Sequence, residues 1–129
     1  MAYQRKARGK PHVPGGYVDV PRHLYDAIMA APFTLSQLKV VLVIVRLTWG
    51  YYPAENHGGA MVSQATIAGY SGLSPCTVRN AVPLLIKEGV VEVVRHGSGR
   101  EPDVLCVCPD PSKWGRFEPV EVPQQVPLD

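Results

Sequence analysis

The chain has 129 residues, 46% of them hydrophobic and 19% charged, which suits one domain with its own core and excludes a wholly disordered chain. Its longest apolar run, Val40 to Val45, falls far short of the ~18–20 residues that cross a bilayer, and Pro and Gly follow the N-terminal bases where a signal peptide needs an apolar stretch. The net charge of +2 hides an uneven split that fits a nucleic-acid binder: residues 1–16 hold four bases and no acid, residues 17–100 seven bases against five acids, and residues 101–129 two bases against six acids.

The N-terminal 1–16 reads as a basic flexible arm carrying Arg5, Lys6, Arg8 and Lys10. Between Gly16 and Ala31, Val20, Leu24, Ala27, Ile28 and Ala31 recur at helical spacing, with Pro21 suited to a first turn and Pro32 ending the helix. Thr34 and Gln37 form a capping-box signature ahead of an apolar stretch that runs from Leu35 to Trp49. Its β-branched residues would also suit a buried strand, but its length without a turn signal favours a helix, apolar nearly all round and therefore central. Residues 50–59 concentrate turn formers and read as a surface loop, followed by a short strand near Ala60–Val62.

Ser63 then caps a helix of about two turns to Tyr70. Ser74 followed by Pro75 starts another, which runs to Glu88 with Gly89 as its stop. Two β-rich runs, VVEVVRH and PDVLCVC, flank a glycine-containing turn and predict a hairpin. Beyond Cys108 five prolines leave no helix or sheet able to form, so residues 109–129 read as an extended, acidic, Pro-rich tail that Trp114 and Phe117 could dock. Cys76, Cys106 and Cys108 have no C-x-x-C spacing and read as reduced thiols.

The stretch QATIAGYSGLSPCTVRNAV at 64–82 carries the function. Two helices that cross steeply need a small residue at the crossing, here Ala68, and a turn tolerant of positive φ, here Gly72. Ile67, Leu73, Val78 and Val82 supply a shared inner face, the pattern of a helix-turn-helix. An ordinary αα-corner needs similar packing, but a hairpin directly after the second helix favours the DNA-binding motif. The order helix, helix, helix-turn-helix, hairpin predicts a mainly α winged helix over residues 17–108. On the second helix of the motif Cys76, Arg79, Asn80 and Pro83 point outward near the end expected to enter the major groove, with Thr77 beside them. Arginine can fork onto guanine O6 and N7, and asparagine onto adenine N6 and N7, so Arg79 and Asn80 are the expected base readers. Arg95 and Arg100 on the hairpin, with the arm, are the expected phosphate or minor-groove contacts.

Over residues 16–108 the chain resembles the N-terminal domain of the phage replication protein O family. The match rests on GYVDVPRHLYDAIM at 16–29, LSQLKVVLVIVRLTWGYY at 35–52 and VSQATIAGYSGLSPCTVRNAVPLLIKEGVV at 62–91, the middle segment being the most specific. The resemblance implies a winged helix that binds repeated double-stranded sites at a replication origin in the cytoplasm of a bacterial host. Full-length members continue into a region recruiting the host helicase machinery, for which the residues after Cys108 are too few. Transcription regulation would use the same DNA-binding mode, and the oligomeric state stays open, a homodimer included.

The recognition helix departs from the family pattern: it carries Arg79 early and Lys87 only at its end, and Pro83 removes one i→i−4 bond inside it. That weakens the transfer and keeps a second class as the alternative, a phage-encoded protein-interaction module or inhibitor of a host system, with a host or phage protein as partner. An enzyme is the third class. Gly69-Tyr70-Ser71 starts like a nucleophile elbow but meets Leu73 where glycine is required, and GSGR at 97–100 lacks the rest of a phosphate loop. His12, His23, His57 and His96 have no metal-ligand spacing. No catalytic residue, cofactor or metal is expected.

Overall fold

The computed structural model describes residues 14, 16–49 and 59–120. The basic arm through Lys10 and the loop at 50–58 lie outside them. Helix α1 (Arg22–Ala30) starts from Pro21, which stands at the N-cap, one position ahead of the first turn, and whose carbonyl accepts from the N–H groups of Leu24 and Tyr25. It ends at Ala31, whose extended backbone is what Pro32 demands of its predecessor. Leu24, Ala27 and Ile28 form its buried stripe.

Helix α2 (Leu35–Trp49) opens on a reciprocal capping box: the Thr34 N–H donates to Gln37 Oε1 at 2.8 Å, and the Gln37 N–H to Thr34 Oγ1 at 3.2 Å. The β-branched run is thus helical. Val40, Val41 and Ile44 are buried, and the helix packs on α3 (Gln64–Ser71), α4 (Pro75–Lys87) and the sheet. It is central but not covered all round, because Leu35 and Leu42 remain exposed.

Strands β1 (Ala60–Met61), β2 (Val91–Arg95) and β3 (Val104–Val107) form an antiparallel sheet in the order β1-β3-β2. Val91 faces Val107 and Val93 faces Leu105, and then the register shifts, so that Arg95 faces Val104. The additional residue on β2 marks a bulge, which twists a hairpin locally. Four α-helices and this sheet make the described part of the molecule mainly helical, an arrangement compatible with a winged-helix-like fold.

The tail departs from the expected lack of structure. Two 3-10 turns, Pro111–Lys113 and Gly115–Phe117, follow β3, the first capped by Asp110, whose carboxylate accepts from the Ser112 N–H at 3.1 Å. Bonds from Ser112 hold the Asp110 carboxyl below the usual carboxylate range. Trp114 is fully buried, its ring N–H donating to the Cys108 carbonyl at 3.0 Å, and Phe33 packs between Trp114 and Phe117 at ring separations of 5.9 and 5.1 Å. The domain therefore extends past the expected limit at Cys108: Trp114 and Phe117 join the core, and prolines suit the short turns between them.

Candidate nucleic-acid interface

The helix-turn-helix is built from local bonds. Ser63 accepts from the Thr66 N–H at 3.0 Å to start α3, and Gly72 ends it with φ +74, its N–H on the Ala68 carbonyl at 2.9 Å. A residue with a Cβ would be strained at that φ. Ser74 then accepts from the Thr77 N–H at 3.1 Å with Pro75 in the first turn of α4. At the other end the Gly89 N–H reaches the Ile86 carbonyl and the Val90 N–H the Leu85 carbonyl, a Schellman closure.

These caps fix which side of α4 is free. Val78, Ala81, Val82 and Leu85 are buried, whereas Cys76, Arg79, Asn80 and Pro83 are exposed. Asn80 makes only a long contact to Cys76 Sγ, 3.9 Å, so its amide remains available. Thr77 differs from its neighbours: it is half-buried and its hydroxyl is hydrogen-bonded to Ser74 Oγ at 2.9 Å, which commits it to the cap. Pro83 lies within α4, whose assigned span continues to Lys87; lacking an N–H, it gives nothing to the Arg79 carbonyl.

Arg95 and Arg100 are both exposed on the hairpin. Its tip is shaped by the Glu101 N–H on the Ser98 carbonyl at 3.0 Å and by Asp103, whose carboxylate accepts from the Gly97 N–H at 2.8 Å. Asp103 is thus turned inward, leaving Arg95 and Arg100 against Glu101 as the outward charges of the tip. A cleft of about 290 Å³ joins the start of α3 at Gln64 to Glu101 and Asp103 at the foot of the hairpin. No local pattern announces that juxtaposition, since it depends on β1 pairing with β3. Arg5, Lys6, Arg8 and Lys10 lie outside the described residues.

The cysteines are free thiols. Burial, and then the Glu92 carboxylate paired across the sheet, push the Cys106 thiol up to about 11, and burial also raises Cys108. Cys76 is the exposed one, on the outer face of α4.

The family model for bacteriophage replication protein O matches residues 10–104, a span holding α1 to β2 and the first residue of β3. The chain belongs to that family. Neither a curated protein nor a solved structure matches it. Membership in the replication protein O family gives the chain a role connected with phage replication. The matched span includes the whole helix-turn-helix and stops before the docked Trp114. No helix among the described residues is long and apolar enough to cross a membrane.

Proposed function

We propose that this replication protein O family member binds double-stranded DNA in a sequence-dependent manner at a phage replication origin, in the cytoplasm of the bacterial host. The observation that carries the reading is the outer face of α4, where Arg79 and Asn80 stand exposed at the capped N-terminal half of the second helix of a helix-turn-helix. In this reading α4 enters the major groove, with Arg79 and Asn80 on base edges and Cys76 against the groove wall. Arg95, Arg100 and the arm bases Arg5, Lys6, Arg8 and Lys10 meet phosphates or the minor groove on either side. The protein positions DNA and assigns no group to catalysis, metal or cofactor. Transcription regulation is the same binding mode at another site.

One observation favours a second reading, a surface for a host or phage protein: Arg79 is the lone base in the first half of α4, and Lys87 stands in its last turn. Electrophoretic shifts of the full chain with the phage's own replication region and with scrambled duplex, across a salt series, separate the two. DNA binding gives a log–log salt slope of about −0.9 per phosphate contact and a preference for the native region. No shift at low salt with a folded, monodisperse protein leaves the protein-partner reading.

A further inference from the structure

Helices α1 and α2 leave an open groove of about 850 Å³ between them, its lining drawn from the segment before α1, from α1 and α2, and from the end of α3. Its walls are apolar and unusually open to solvent: Met29 is 65% exposed, Tyr25 55% and Leu42 44%. Arg22, Lys39 and Arg46 line it as well, and among the described residues no carboxylate does. Lys39 and Arg46 lie seven positions apart on α2, so their side chains share a face about 10 Å apart along the axis. Arg46 is steadied over the Tyr70 ring at 5.3 Å. A trough between two helices, lined mostly by apolar side chains with three cations among them, has the chemistry that an amphipathic helix with acidic flanks would complete.

We propose that this groove is a docking site for a short acidic amphipathic helix of another protein. Charge and place exclude the occupants nearer to hand. The N-terminal arm carries four bases and no acid, so the groove repels it. An isologous contact with a second copy would set the same three cations against themselves. The docked 109–120 segment meets α1 at His23, whose Nε2 lies 3.1 Å from the Pro109 carbonyl, roughly 100° around the helix from Arg22, and none of its residues lines the groove. Duplex DNA would use the cations but not the Leu, Ile and Met walls. None of the lining residues belongs to α4, β2 or β3, although Tyr70 and Ser71 stand at the turn that leads into α4.

The test is a titration of the full chain, isotope-labelled, with a synthetic amphipathic helical peptide bearing leucines on one stripe and glutamates on its flanks, and with a twin bearing lysines instead. The expected result is saturable shifts of α1 and α2 signals with the glutamate peptide only. Met29→Asp, at an exposed position that folding does not need buried, should weaken that binding at least about tenfold. Arg22→Glu with Lys39→Glu should transfer the preference to the lysine peptide, while shifts of labelled duplex stay at the wild-type level. Equal binding of both peptides overturns the proposal. So does displacement of the peptide by duplex DNA, concentration-dependent broadening of the groove signals in the protein alone, or a change in those signals on removing residues 121–129, which would assign the groove to nucleic acid, to a second copy or to the chain's own C-terminus.

Discussion

In the N-terminal half of α4, Arg79 and Asn80 are the long or bidentate-capable polar residues, unencumbered by the cap that joins Ser74 and Thr77. Arg79→Ala should therefore cost about 1–3 kcal/mol on the preferred site and relax discrimination at one base pair more than it lowers random binding, measured by competition shifts against single-base variants. A uniform loss on all sequences would make Arg79 a phosphate contact instead. The cysteines offer a chemical readout of the same face. With its thiol near 11, Cys106 is about one part in a thousand thiolate at pH 8, and Cys108 is buried, so iodoacetamide followed by peptide mapping should find Cys76 alkylated first. Saturating duplex should slow modification of Cys76 and leave Cys106 unchanged; unprotected Cys76 would place the DNA elsewhere.

Elements were legible wherever their cause is local. The Thr34–Gln37 box, the Ser63 and Ser74 caps and the Gly72 turn each lie within a few residues of the structure they create, and all form bonds in the fold. Gly89 is both a local and a tertiary case. Its φ of +87 closes α4, as its place after the last helical residue implies, but a Cβ there would also run into the carbonyl of Lys113, from a segment read as a loose tail. Gly89→Ala should therefore destabilise by more than the ~1–3 kcal/mol of a strained backbone alone, seen as a lower urea midpoint at unchanged slope. A cost near the lower bound would mean the 3-10 turns yield easily. What the sequence hid is of this second kind. Nothing near Trp114 announces that Phe33, far away in the chain, leaves a slot for it. Likewise the apolar circumference of α2 announces a core helix without revealing that Leu42 stays bare.

At the scale of the whole molecule, two ends of opposite charge flank one body, and the acidic one engages it through Trp114. Trp114 fills the core and bonds the Cys108 carbonyl, while the Glu88 carboxylate, next to the end of α4, accepts from the Arg116 N–H at 3.0 Å. Trp114→Ala should lower stability by about 3–5 kcal/mol in urea melts, and Trp114→Phe by the smaller amount, about 1–3 kcal/mol, of a carbonyl left without its donor. A chain ending at Cys108 that is as stable as the full one would show that the docked turns contribute nothing. The arm's four bases can add at most four phosphate contacts, so deleting residues 1–10 should flatten the salt slope by up to roughly 3–4. Because phosphate contacts carry no sequence information, the deletion should weaken native and scrambled duplex alike and keep their ratio. A changed ratio at unchanged slope would mean that the arm reads bases, as a minor-groove arm does, and the assignment of specificity to α4 alone would fall.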